Sequence, residues 1–171
     1  MSGRRWLAVA LVALVAIVGC VIMYYNTIQR PYWSEENAAT AKAVEAAELT
    51  SVESATRHVW EKPFWIVEGI NQAGEDIIVS VPDVKAEDAQ AKQDIQVVKA
   101  SEGIMKADVK RIFIKANPDA EIKRMQLGII NNELAYEVFF TNKEGIYYYA
   151  FYSFKDGAFI DQYRLPAKTA K

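Results

Sequence analysis

From Trp6 to Tyr25 the chain reads WLAVALVALVAIVGCVIMYY, twenty residues without a charge, preceded by Arg4 and Arg5 and followed by a polar stretch to Arg30. At ~1.5 Å per residue a helix of this length is roughly 30 Å long, the thickness of a bilayer's hydrocarbon core. The run is expected to cross a membrane once. Arg4 and Arg5 on the short side place the N-terminus in the cytoplasm by the positive-inside rule, and everything after Tyr25 outside the cytoplasmic membrane. Trp6 at one end and Tyr24 and Tyr25 at the other suit the two interfaces. A cleaved signal peptide is disfavoured, because Val21 to Tyr25 offer no small-residue cleavage site. Ile17-Val18-Gly19-Cys20 forms an alternative, a lipobox with Cys20 as the acylated residue, against which stand the five apolar residues that follow it. Gly19 alone is weak support for pairing of spans.

Cys20 and His58 are the sole Cys and His among 171 residues. A Cys–His nucleophile, a Ser-His-Asp triad or a Cys/His zinc centre would therefore rest on one of these two, and no metal or cofactor is expected. His58 reads by default as a polar surface residue on a strand. Glu35-Glu36, Glu75-Asp76 and Glu87-Asp88 are adjacent in sequence, so they do not converge on one ion and read as solvated faces. No glycine-rich phosphate cradle is present. Carboxylate-only hydrolysis of the glycosidase type is the one enzymatic alternative that residue types leave open. Residues 26–100 carry a net charge of -6 and residues 101–171 of +2, which favours docking of the halves on each other and does not fit a nucleic-acid binder.

The two halves share one order of elements. In the first, Pro31 separates the span from a helix capped by Ser34 and running to about Leu49, with an Ala-rich face of Ala39, Ala43, Ala46 and Ala47 around Val44. Strands are expected at 52–60, 64–71, 75–81 and 95–99, with a polar loop or short helix at 83–94. In the second, Val109, Ile112, Phe113 and Ala116 make the apolar stripe of a helix over 106–116. Strands follow at 122–130, 134–141, 147–154 and 159–164, with Asn131-Asn132 and Asp156-Gly157 as hairpin turns. The fold class is α+β: a cytoplasmic tail at 1–5, a transmembrane helix at 6–25, two small domains at 26–100 and 101–166, and a flexible tail at 167–171. Each domain is a helix packed on an antiparallel meander of three or four strands.

Strand alternation divides the aromatic segment 147–154 into two rows: Tyr147, Tyr149 and Phe151 on one face, Tyr148, Tyr152 and Phe154 on the other. One row packs beneath the helix. The other either docks on the first domain or stays open, and an open aromatic row is a surface for a protein partner or a sugar ring. Tyr148, Tyr152 and Phe154, with Trp65 of the first hairpin, are the candidate partner-binding residues. Trp60 and Trp65 read otherwise as core, and Tyr32 and Trp33 as interfacial.

These elements resemble the tandem PepSY-like, or cystatin-like, architecture of the cell wall elongation regulator TseB family of Bacillus-type bacteria. The resemblance rests on the Arg-flanked apolar run and on EDIIVSVPD (75–83), GIMKADVKRIF (103–113), QLGIINNELAYEVFF (126–140) and YYYAFYSFKDGAF (147–159). It implies a non-enzymatic protein anchored in the cytoplasmic membrane that contacts a penicillin-binding transpeptidase of lateral wall synthesis. PepSY-like domains also imply an alternative, an extracytoplasmic inhibitor or modulator of a protease.

Overall fold

The computed structural model of the protein describes residues 3–83 and 95–166, and side chains at 3–10, 12, 22 and 25–31 lie outside the description. Of the loop or short helix expected at 83–94, all but residue 83 falls outside it, as does the tail at 167–171. The elements, in chain order, are α1 (Gly3–Ala47), β1 (Leu49–Val59), β2 (Pro63–Asn71), β3 (Asp76–Pro82), β4 (Gln96–Lys99), a 3-10 turn Ala100–Glu102, α2 (Lys106–Ala116), β5 (Glu121–Ile130), β6 (Glu133–Thr141), β7 (Tyr147–Ser153) and β8 (Phe159–Arg164). The strands form two four-stranded antiparallel sheets, β1-β2-β3-β4 and β5-β6-β7-β8. Two compact units are present, residues 1–38 and residues 39–171.

The first unit is helical. Its backbone stays helical through Pro31 and Ser34, where the sequence predicts a break and a fresh cap. Proline removes one backbone donor and costs about 3 kcal/mol in a helix interior, less than a long helix gains from the turns on either side. Leu11, Leu14, Val15, Ile17 and Tyr24 are exposed, as is Cys20. Arg4, Arg5, Trp6 and Tyr25, assigned to the membrane interfaces by the sequence, lie outside the described side chains. Among the described residues no helix is long and apolar enough to cross a membrane.

The second unit contains both sheets. The last turns of α1 bury Ala39 and Ala43 against Trp65, Val67, Ile77, Val79 and Val81. Val44 and Ala46 of the predicted face are exposed instead, and the buried line is Ala39, Ala43 and the half-buried Ala47, at four-residue spacing. Glu48, at φ 50, reverses the chain into β1. The opposite face of the first sheet contributes Phe64, Ile66 and Ile78 to a second core shared with Val109, Phe113, Leu127, Tyr136, Val138, Phe140, Tyr152 and Phe154. The first sheet is thus covered on both sides, which explains why β2 and β3 read as nearly unbroken apolar runs. In the second sheet Val109 and Phe113 of α2 lie on one face, and the Asn131-Asn132 pair makes the two-residue turn between β5 and β6 with both residues at positive φ.

Candidate interaction surface

Cross-strand pairing defines the face of the second sheet that α2 leaves free. Arg124 is opposite Phe139, Phe139 opposite Tyr149 and Tyr149 opposite Tyr163. One row inward lie Gln126, Glu137, Phe151 and Asp161 in the same order. Residues directly opposite share a face, so these are two parallel rows of side chains. The end of β1 covers part of them. Trp60 packs on Tyr149, Phe151 and Tyr163 with ring centroids 5.3, 4.8 and 5.0 Å away, all tilted. The covered side is closed: Phe151 is buried with Ile130 and Ala135. The other side continues as stacked rings, Tyr149 on Phe139 at 4.8 Å and Phe139 on Tyr147 at 5.4 Å, with the Arg124 guanidinium 5.8 Å from the Phe139 ring. Tyr147 and Tyr163 remain 46% and 40% exposed, so the ladder runs from a closed contact into an open one.

Beside Trp60, the predicted surface histidine is fully buried. His58 precedes Trp60 by two positions and therefore points to the same face, over the second sheet. Its Nδ1 accepts the backbone N–H of Ile129 at 3.2 Å, and its Nε2 lies 3.1 Å from Glu137 Oε2. An accepting Nδ1 assigns the neutral tautomer in which Nε2–H donates to Glu137. Glu137, 2% exposed, also accepts from Arg124 at 2.8 Å and from Gln126 at 3.3 Å. Burial pushes the Glu137 carboxyl up, and the hydrogen bonds from His58 and Arg124 outweigh it, holding the group below its ordinary range. A buried charge is tolerable when paired and hydrogen-bonded in this way. Gly128 completes the junction: a Cβ there would strike the His58 ring. Glycine inside a strand often marks such an approach. Gly128 was the sequence signal for the buried histidine, but it names no partner 70 residues away.

The candidate partner residues fall elsewhere. Tyr152, Phe154 and Trp65 are 3%, 5% and 1% exposed, and Tyr148 is half-buried against the same core. Register is the reason. Tyr152 faces α2, edge-on to Phe113, and Phe154 packs on Tyr136 where Gly103 leaves room for its ring. Trp65 lies under Ala39 and Ala43. The row that holds the candidate partner residues thus packs beneath α2 and against Phe64 and Ile66 of the first sheet, and the row of Tyr147 and Tyr149 carries the remaining surface. Burial raises the hydroxyl pKa values of Tyr136 and Tyr152, as core placement requires. Among the described residues no group of three His, Cys, Asp or Glu side chains is arranged to hold a metal.

Comparison with known proteins agrees with this architecture. A family model described as a cell wall elongation regulator TseB-like domain matches residues 38–82, the end of α1 through β3. A Bacillus subtilis (strain 168) protein named probable cell wall elongation regulator TseB is 27% identical over 123 residues, 72% of this chain and 73% of that one. The solved structure of the YpmB protein from Bacillus subtilis superposes with a TM-score of 0.67 at 26% identity, over 76% of this chain and 97% of the other. The chain is thus similar to TseB-like proteins, in sequence over residues 38–82 and in fold over about three quarters of its length. TseB-like proteins are a family of regulators and not of enzymes. Within the family model's span lies the whole α1-to-sheet contact through Ala39, Ala43, Trp65 and Val79, whereas Glu137 and the aromatic ladder lie beyond it.

Proposed function

We propose that the protein is a non-catalytic, single-pass component of the bacterial cell envelope that regulates cell wall elongation by holding a penicillin-binding transpeptidase. Its short N-terminal tail is cytoplasmic, its apolar run of 6–25 spans the cytoplasmic membrane, and its two sheets lie outside. The observation that carries this reading is the likeness, over 72% of the chain in sequence, to a Bacillus subtilis protein named probable cell wall elongation regulator TseB, with a TseB-like domain matched at residues 38–82. The apolar run supports the anchor, with Arg4 and Arg5 on its short side. Anchoring confines both partners to one surface and raises their effective concentration, so a modest contact area suffices. The surface assigned to the partner is the open end of the aromatic ladder, Tyr147, Phe139 and Tyr149 beside Arg124. Aromatic and arginine side chains dominate protein interfaces.

The test is photo-crosslinking of the full-length chain in cells, with the crosslinker at Tyr147 and, as control, at Lys110 on the exposed face of α2. The expected result is an adduct with one penicillin-binding transpeptidase at Tyr147 and none at Lys110. A transpeptidase adduct at Lys110 alone would move the surface to the helix, and no transpeptidase adduct at either site would remove the partner. Orientation is checked by labelling a Lys155→Cys, Cys20→Ser variant on intact cells with a membrane-impermeant maleimide, which is expected to react.

A further inference from the structure

A cleft of about 300 Å³ opens between the two sheets, lined by Thr56, Ile66 and Glu68 of the first sheet, by residues 124–127 of β5, and by Tyr136 and Lys106. Its lining contains a geometric clue. Successive strand residues point to opposite faces, so four consecutive residues line one cavity only when the cavity meets the strand edge-on. β5 is the terminal strand of its sheet, and no strand pairs with the outer side of its backbone.

Which backbone groups look into the cleft follows from the register. Arg124 to Ile130 pair with β6 without interruption, and the turn is closed by Ile130 opposite Glu133. In an antiparallel pair closed by a two-residue turn, the closing residues exchange both hydrogen bonds and every second residue does likewise. Arg124, Gln126, Gly128 and Ile130 therefore bond inward, while Met125, Leu127 and Ile129 aim their N–H and C=O outward. The Ile129 N–H confirms the direction, since it leaves the sheet to reach His58 Nδ1. No backbone hydrogen bond among the described residues reaches the outward side of Met125 or Leu127. Both residues line the cleft.

Charge then marks the lining. Lys106 takes part in no ion pair among the described residues. Arg124 uses one guanidinium nitrogen on Glu137 and retains its other donors. Glu68, whose Oε1 accepts from Ser54 at 2.9 Å, forms a negative wall on the first-sheet side.

We propose that this cleft binds a short extended peptide ending in a free carboxylate, which adds a strand to the open edge of β5 and sets its carboxylate on Lys106. Met125 and Leu127 supply the ladder, the β-addition mode of peptide recognition, and Lys106 captures the terminus. The lined stretch of β5 is roughly 10 Å long, the reach of about three extended residues. Glu68 disfavours a second acid in the body of the peptide. This site adjoins the aromatic ladder through Arg124, but its ligand contacts, the edge of β5 and Lys106, lie outside the ladder and do not depend on the transpeptidase contact.

The test is calorimetric titration of the full-length chain in detergent micelles with acetyl-Ala-Val-Ala as the free acid. Saturable binding is expected. The C-terminal amide of the same peptide should bind at least tenfold more weakly, as should a peptide N-methylated at the amides that enter the ladder. Lys106→Gln should bind acid and amide alike, and Lys110→Gln should leave the preference unchanged. The same three residues displayed at the C-terminus of a folded carrier distinguish the source: equal binding assigns a protein terminus as the ligand, and binding of the free peptide alone assigns a short peptide. Absence of saturable binding by the free acid, or equal affinity for acid, amide and N-methylated peptide in the unaltered protein, would overturn the proposal. The peptide variants leave the protein untouched, so the result holds even if Lys106→Gln fails to fold.

Discussion

The two sheets carry their helices in opposite ways. Where α1 meets the first sheet, the helix offers Ala39 and Ala43 and the sheet supplies the bulk through Trp65, Val67 and Val79. Where α2 meets the second sheet, the helix itself inserts Phe113 between Phe140, 4.8 Å away, and Tyr152, 6.2 Å away. One arrangement of helix on sheet is therefore built with volume on one side in the first case and on both sides in the second. Protein interiors are close-packed, so the difference fixes which change each contact resists. The first contact has no room for growth of the helix side chains, and the second cannot lose them without a void.

The largest effect is expected at the second contact. Phe113→Ala removes a fully buried ring from between two others and should cost about 4 kcal/mol, within the range for buried aromatic truncation. Urea denaturation of the full chain, followed by far-ultraviolet circular dichroism, would show this as a lowered midpoint. A loss below about 1 kcal/mol would mean that the second core closes over the gap, and the contrast with the first sheet would fail.

His58→Ala tests the junction that neither helix contact includes. It strips Glu137 of one partner in a buried setting and leaves the Ile129 N–H without an acceptor, at an expected cost of about 3 kcal/mol. Glu137 adds a pH signature. Its folded carboxyl titrates below its unfolded value, so its contribution is fully present above about pH 4.5 and is lost as pH falls through the folded value. The unaltered protein should therefore lose stability on acidification below that point with a slope about one proton steeper than Glu137→Gln. Parallel acid limbs for the two proteins would show that Glu137 is not held ionised by its partners.

Ala43→Leu sharpens the comparison from the other side. Added carbons at a position with no exposure force the helix off Trp65, with an expected loss of about 2 kcal/mol, in the range for overpacking. The equivalent enlargement on α2, at the exposed Ala107, should leave the midpoint in place.

Most of the fold is legible in the sequence because local chemistry sets it. The helix at 106–116 was readable from Val109 and Phe113 at helical spacing, and the β5–β6 hairpin from Asn131-Asn132, because both signals are set within a few residues. Long-range matters were not readable. Alternation separates the two rows of 147–154 correctly, but which row goes under α2 depends on cross-strand neighbours such as Tyr136, opposite Tyr152. His58 looks like any polar strand residue until Glu137 is brought against it across 79 positions. Pro31 and Ser34 are good break and cap signals that a long helix overrode.

The smallest effect closes the comparison, at the far edge of the first sheet. Lys99 Nζ lies 2.7 Å from Glu75 Oε1, joining β4 to the end of the β2–β3 turn, and both side chains are largely open to water. The hydrogen bond from Lys99, followed by that from Asn71, holds the Glu75 carboxyl below its ordinary range. A short distance and a shifted carboxyl do not make such a pair a source of stability. Solvent screens the attraction, and ordering two flexible side chains opposes it. Lys99→Ala should leave the urea midpoint unchanged at physiological salt, although the Glu75 carboxyl, read by NMR titration, should move back towards its ordinary range. A midpoint shift comparable with that of His58→Ala would mean that the four-residue β4 hangs on this pair, and that the first sheet is held at its edge as well as beneath its helix.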